Sequence, residues 1–305
     1  MSVIAQGLTS TLMRMRAGRA RIRWGHLLSR LGMWAVLLFW TFVVYFPIYY
    51  ILITSFKEPV DVAKGSLVPW RDFTPTLKWW NDVLFGTQSE AVKKAYSNSL
   101  MVGFGGAFFS VFFGAMAGYG LARFRYKIGP MRNDNLAFWF VSQRMLPPVA
   151  VVLAYLLLYR DLKLLDTQIG LALAYIMFNL PLVVWIMRDF FTQVPLEIEE
   201  SAAIDGASPW LIYWRIALPL AVPGLVASFL LSLIFNFNEY LFAVILTATR
   251  STMFPIMLAS QFTGDSIRFW ILSVLALMNI LPAIAISLVL ERYLVQGLFA
   301  GAVKT

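Results

Sequence analysis

The 305-residue chain contains no cysteine and a single histidine, His26. The first absence excludes disulfide scaffolds, thiolate nucleophiles and thiolate metal sites, and the second excludes a multi-histidine metal cluster. Charge is also scarce. Asp, Glu, Lys and Arg make up 13% of residues, against roughly 25% in a soluble domain. Hydrophobic residues make up 60%, and the mean hydropathy is +0.72. A soluble fold of this length would need more polar residues to cover its surface, and disorder is incompatible with such hydrophobicity. What remains is an integral membrane protein.

A helix needs about 20 apolar residues to cross the hydrocarbon core. Six stretches qualify by the gaps between charges: Leu31–Phe56, Ala95–Ala122, Asn135–Tyr159 with only Arg144, Thr167–Met187, Ile216–Thr249 with only Glu239, and Phe269–Leu290. The expected architecture is all-α with six transmembrane helices. It comprises a basic tail (1–30), a first span (31–56), an external loop (57–94), a five-helix core (95–290) containing a cytoplasmic loop (188–219), and a C-terminal tail (291–305). The run after the basic tail is too long for a signal peptide and reads as a retained span. Arg14, Arg16, Arg19, Arg21, Arg23 and Arg30 precede the first span, and Arg123, Arg125, Lys127 and Arg132 follow the second. The positive-inside rule then puts both termini in the cytoplasm. The net charge of +9 reads as attraction to anionic lipid and not to nucleic acid.

Within the second span, Gly106, Ser110, Gly114 and Gly118 recur every four residues. Such a stripe lets another helix backbone approach closely, either within the chain or in a second subunit. Pro147-Pro148 and Pro181 remove backbone donors and are expected to kink the third and fourth spans.

The cytoplasmic loop has its own organisation. Pro195 and Glu197, Glu199 and Glu200 suit a helix start, and Gly206 suits a left-handed stop. Ser208 suits an N-cap with Pro209 in the following first turn. The result is a short elbow displaying acids, Trp210 and Trp214 to the cytoplasm. An exposed apolar surface of this kind needs a partner.

The spacing Glu200-Ser201-Ala202, three residues, Gly206, nine residues, Ile216-Ala217-Leu218-Pro219 resembles the EAA loop of ATP-binding-cassette importer permeases. Ser201 stands where the pattern has alanine. Asn238–Ala243, Arg144–Pro148 and the tail Gly297–Lys304 are similar to the carbohydrate-uptake branch, in particular the second permease of maltose-type systems. The resemblance covers about residues 30–305. It implies a type I importer permease fold in the bacterial inner membrane, with cytoplasmic coupling helices. The implied partners are a second homologous permease, two ATPase subunits and an extracytoplasmic binding protein that delivers a sugar. The chain has no Gly-x-x-x-x-Gly-Lys-Ser/Thr phosphate loop, so ATP and Mg are expected on the ATPase subunits and no cofactor or metal on this chain.

By the same resemblance, Glu199, Glu200, Ser201, Ala202, Ala203, Asp205, Gly206, Ala207 and Trp210 form the ATPase-coupling surface. Glu200 and Asp205 anchor it or cap the elbow internally, Ala202 and Ala203 permit close packing, and Gly301 and Lys304 in the tail reach toward the ATPase. The loop 248–268 is a candidate contact with the binding protein. Gln143, Arg144, Asn179, Asn236, Asn238 and Glu239, with Asn279, are intramembrane polar groups, which usually face protein or water. Arg144 and Glu239 could pair as a structural lock, line the translocation path, or snorkel. The alternatives to a sugar importer are an importer for another small polar solute and an ion-coupled secondary carrier.

Overall fold

The computed structural model describes residues 24–263 and 266–302. Residues 1–50 and 51–305 form two compact units. The described part of the first is most of helix α1 (Trp24–Thr54), whose segment Arg30–Thr54 has a mean hydropathy of 2.2. It is apolar on every side, as a helix surrounded by lipid requires. The basic tail before Trp24 lies outside the described residues.

The second unit opens with two short helices, α2 (Pro59–Ala63) and α3 (Lys78–Phe85). Helix α4 (Ser89–Arg123) runs 35 residues without a break. A two-residue hairpin, β1 (Lys127–Ile128) with β2 (Met131–Arg132), turns the chain into α5 (Asn133–Ser142). Then come α6 (Pro148–Asp161) and α7 (Gln168–Gln193). The segment after α7 forms α8 (Leu196–Ile204) and α9 (Pro209–Leu220), the latter with a π-helical turn over Tyr213–Ala217. Helices α10 (Val222–Phe237), α11 (Leu241–Leu246), α12 (Phe254–Ala259), a hairpin of β3 (Phe262–Thr263) and β4 (Ser266–Ile267), and α13 (Phe269–Ala302) complete it.

Among the described residues four helices are long and apolar enough to cross a membrane singly, and the number of spans is six if each of two bent pairs counts as one. The third span breaks between Met145 and Pro148, bending by 87°. Two consecutive prolines there cannot donate to the preceding turn. Helix α7, by contrast, runs through Pro181 as one helix. The long fifth stretch, Ile216–Thr249, contains more than one helix. The first begins back at Pro209, bends by 75° between Leu220 and Val222, and stops at Phe237. Asn238 ends it by turning its own side-chain amide onto Ile234 O at 2.7 Å, so a side chain competes with the backbone ladder. The sixth helix also outruns its expected end and continues through Ala302.

The small-residue stripe decides the central packing within the chain. All four of its residues are buried. A Cβ on Gly114 would lie 2.5 Å from Val183 Cγ1, and one on Gly118 would lie 2.8 Å from Arg188 N. Helix α7 therefore lies against α4 at a distance that larger residues would forbid.

Candidate functional site

The elbow follows from its local sequence. Pro195 is the N-cap and Leu196 the first helical residue, one position later than the sequence pattern suggests. Gly206 has φ +85°. Gly206 N donates to Ala203 O at 3.1 Å and Ala207 N to Ala202 O at 3.0 Å, the two bonds of a Schellman stop. Ser208 then caps α9, its Oγ accepting from Leu211 N at 3.3 Å. The turn is closed by backbone bonds and Ser208. Asp205 is the C-cap residue of α8, its backbone N–H donating to Ser201 O at 3.1 Å. Glu200, Ser201, Ala203, Asp205, Gly206 and Trp210 are exposed, Ala202 and Ala207 half-buried. Ile204, 88% exposed, stands at the apex.

Glu199 is placed differently from its neighbours. It is buried, with its carboxylate directed back at α4. Tyr119 OH donates to Glu199 Oε2 at 2.9 Å, and Arg123 Nε and Nη2 reach Oε1 at 2.9 and 2.8 Å. Arg123 Nη2 also donates to Val194 O at 2.9 Å. Of the residues expected on the docking surface, Glu199 is thus turned inward, because this cation and phenol satisfy it and water does not reach it. Beneath the elbow, Tyr119, Phe191 and Tyr213 pack together with Ala115, Val183 and Met187.

The intramembrane polar groups divide into two sets. Asn179 and Asn236 are 1% and 3% exposed. Asn236 Nδ2 donates to Gly103 O at 2.9 Å, and Asn179 Nδ2 donates to Asn236 Oδ1 at 2.7 Å and to Tyr175 O at 3.0 Å. These two asparagines clasp α4, α7 and α10. Asn279 Nδ2 donates to Phe237 O at 3.4 Å, adding α13.

Gln143 and Arg144 lie at the bend of the third span, and Asn238 and Glu239 lie between α10 and α11. Of the three alternatives for Arg144 and Glu239, the lock is not observed, since no ion pair joins them among the described residues. Arg144 instead lies over the rings of Phe178 and Phe235, at 4.8 and 4.3 Å, and its buried Nη1 has no hydrogen-bond partner. Glu239 Oε1 accepts from Phe242 N at 2.9 Å and so caps α11. A cavity of about 320 Å3 at the bend of the third span is lined by Trp139, Gln143, Arg144, Tyr155, Phe178 and Phe242, among others. Asn238 is exposed. Gly301 falls in the last turn of α13, and Lys304 lies outside the described residues.

In the turn between α6 and α7, Asp166 organises the chain. Its carboxylate accepts from the backbone N–H of Ala248, Thr249, Arg250 and Ser251 at 2.9–3.2 Å. Neither this latch nor the Tyr119–Arg123–Glu199 cluster was legible in sequence. The available signal for the cluster was that Tyr119 and Arg123 share a helix face at i, i+4.

Residues 110–299 match the family described as binding-protein-dependent transport system inner membrane component. The chain belongs to this family. It is 33% identical to the trehalose transport system permease protein SugB of Mycobacterium tuberculosis, over 85% of this chain and 92% of that one. It is 30% identical to the maltose/maltodextrin transport system permease protein MalG of Vibrio parahaemolyticus, over 90% and 95%. The crystal structure of a bacterial ABC transporter involved in import of the acidic polysaccharide alginate covers 89% of this chain and 98% of its own, with a TM-score of 0.68 at 21% identity. That likeness shows the shared type I importer permease fold. The chain is a multi-pass inner-membrane transport component.

Proposed function

We propose that this chain is one of two permease subunits of an ATP-driven importer for a sugar or sugar derivative. A binding protein delivers the solute outside the membrane. Two ATPase subunits, which carry ATP and Mg, grip the elbow from the cytoplasm, where both termini also lie. Closing of the ATPase pair moves the elbow and rocks the spans between inward- and outward-open states.

The observation that carries this reading is the elbow itself. Residues 200–210 project an acidic and apolar turn whose shape is held from within, while Ile204 and Trp210 stand largely exposed. The sugar assignment rests on the relatives named for trehalose and maltose transport, together with the similarity of residues 238–243, 144–148 and 297–304 to the carbohydrate branch. In this reading Gln143, Arg144, Asn238 and Glu239 mark the translocation path at the helix breaks, where aromatic rings such as Trp139 and Tyr155 offer faces to a sugar ring. Asn179 and Asn236 support those breaks without meeting the solute.

Co-expression with candidate ATPase, permease and binding-protein partners in lipid, followed by ATPase assays across a panel of sugars, tests the proposal. The expected result is a co-purifying ATPase whose hydrolysis rises with one class of loaded binding protein. Stimulation by a non-carbohydrate solute alone defeats the sugar assignment, and transport without ATP hydrolysis favours an ion-coupled carrier.

A further inference from the structure

The elbow is joined to the rest of the chain by very little backbone. Between the end of α7 and the start of α8 stand Val194 and Pro195, both extended, with ψ 123° and 129°. Two such residues outside any helix would act as a hinge and absorb a push on the elbow. One side-chain cluster bridges this link. Arg123, at the last turn of α4, bonds both Val194 O and Glu199, so it ties the ends of α4 and α7 to the first helix of the elbow. Tyr119 adds the far side. Its hydroxyl holds Glu199, while its ring lies 5.2 Å from that of Phe191 and 5.0 Å from that of Tyr213. Entry to and exit from the elbow therefore rest on the same tyrosine.

The Arg123 and Glu199 side chains are 9% and 6% exposed. A pair so far removed from water resists separation, because parting it leaves an uncompensated buried charge. An exposed pair would have little such stiffness.

The opposite end of α4 is held just as specifically. Asn98 Nδ2 donates to Arg250 O and Thr252 O at 3.3 and 3.0 Å, and Ser99 Oγ accepts from Phe254 N at 2.8 Å. Helix α4 is unbroken between the two attachments, a distance of about 37 Å at 1.5 Å per residue. It joins the external segment 250–254 to the cytoplasmic elbow as one rod.

We propose that Tyr119, Arg123 and Glu199 are positioning residues that form a rigid joint, through which displacement of the elbow is transmitted to α4 and along it to the external loop. The proposal rests on the function given above and deepens it. The joint touches neither solute nor nucleotide. Its role is to prevent the Val194–Pro195 link from flexing when the elbow moves.

The test uses the complete transporter in lipid with R123K, E199Q and Y119F. Lysine keeps the charge of Arg123 and loses its planar fork, and phenylalanine keeps the ring packing of Tyr119 and loses only the hydroxyl. The readouts are the amount of assembled complex, the ratio of binding-protein-stimulated to basal hydrolysis per complex, and solute moved per ATP. The joint predicts that the stimulation ratio falls by about fivefold or more in R123K and E199Q, the lower end of typical coupling effects, with a smaller fall in Y119F and less solute moved per ATP. A wild-type ratio per complex in all three variants overturns the proposal, whether or not the yield of complex drops, because a merely structural cluster changes yield alone. Absence of an ATPase from the wild-type preparation defeats the proposed function instead, and the two failures are told apart by that control.

Discussion

Asp166 and Ser251 bind each other twice: Ser251 N donates to Asp166 Oδ1 at 3.0 Å, and Ser251 Oγ donates to Asp166 O at 3.0 Å. Three further backbone N–H groups, from Ala248, Thr249 and Arg250, aim at the same carboxylate. The latch joins the turn between the third and fourth spans to the loop that begins the approach to α12.

This latch should be sensitive to acid. Burial alone would raise the Asp166 carboxyl, but the four backbone donors outweigh it and hold it below the ordinary carboxylate value. A carboxyl lowered by folding stabilises the folded form above its unfolded value, roughly pH 4, and loses that contribution as pH falls through its lowered folded value. Because the chain has no native cysteine, a spin label at Arg250→Cys reports this segment alone. Its mobility should be low at neutral pH and rise on acidification below about pH 4. Asp166→Asn tolerates the positive φ of 54° at this position and removes the charge, so its label should be mobile at both pH values. An immobile label in Asp166→Asn would show that the charge does not hold the loop.

Gly206 separates backbone conformation from space. No atom lies within 4 Å of a Cβ built there, yet φ is +85°. Gly206→Ala should therefore cost about 1–2 kcal/mol through backbone strain alone and leave the elbow recognisable. Gly206→Pro cannot adopt this φ and also loses the N–H bonded to Ala203 O. Pull-down of the ATPase with membrane-inserted permease should be reduced slightly by alanine and abolished by proline. Wild-type transport in the proline variant would remove the elbow from the mechanism.

Close approach of α4 and α7 can be tested by size. Gly114→Ala puts a methyl 2.5 Å from Val183 Cγ1, whereas Gly105→Ala meets nothing within 4 Å. Overpacking of this kind typically costs about 1–3 kcal/mol. Thermal unfolding in detergent should show a drop for Gly114→Ala, no loss for Gly105→Ala, and only partial recovery when Gly114→Ala is combined with Val183→Ala, because the Cβ of residue 183 still lies 2.8 Å from the new methyl. Equal stability of the two single variants would contradict the packing.

The asparagine clasp makes a milder prediction. Asn236→Ala removes the bonds to Gly103 O and from Asn179 Nδ2. In a membrane interior such bonds are worth about 1 kcal/mol, and the Asn179 amide keeps Tyr175 O as a second acceptor. The variant should insert and assemble but unfold at a lower detergent-denaturant concentration. A shift as large as that for removal of a buried ion pair, about 3–5 kcal/mol, would mean that the clasp does more than hold three helices.

Much of this protein is written in local sequence. Charge-free runs marked the six spans because hydrocarbon excludes ions whatever the tertiary fold. The elbow was legible for a similar reason: Gly206, Ser208 and Pro209 act through their own backbone conformation and nearest neighbours. The stripe of Gly106, Ser110, Gly114 and Gly118 announced close packing, but only the structure chose α7 as its partner.

Tertiary structure alone decided the long-range polar pairings. Arg144 and Glu239, as the only charges inside their spans, looked like a pair, yet one lies between two phenylalanine rings and the other caps α11. Of the three acids at the start of α8, helical rotation turned Glu199 toward Arg123 and left Glu197 and Glu200 in solvent. Asp166 met residues 248–251 across more than 80 positions of sequence. A span or a cap is set by the few residues around it, whereas the partner of a buried charge depends on which helix faces it, and that is fixed only when the bundle packs.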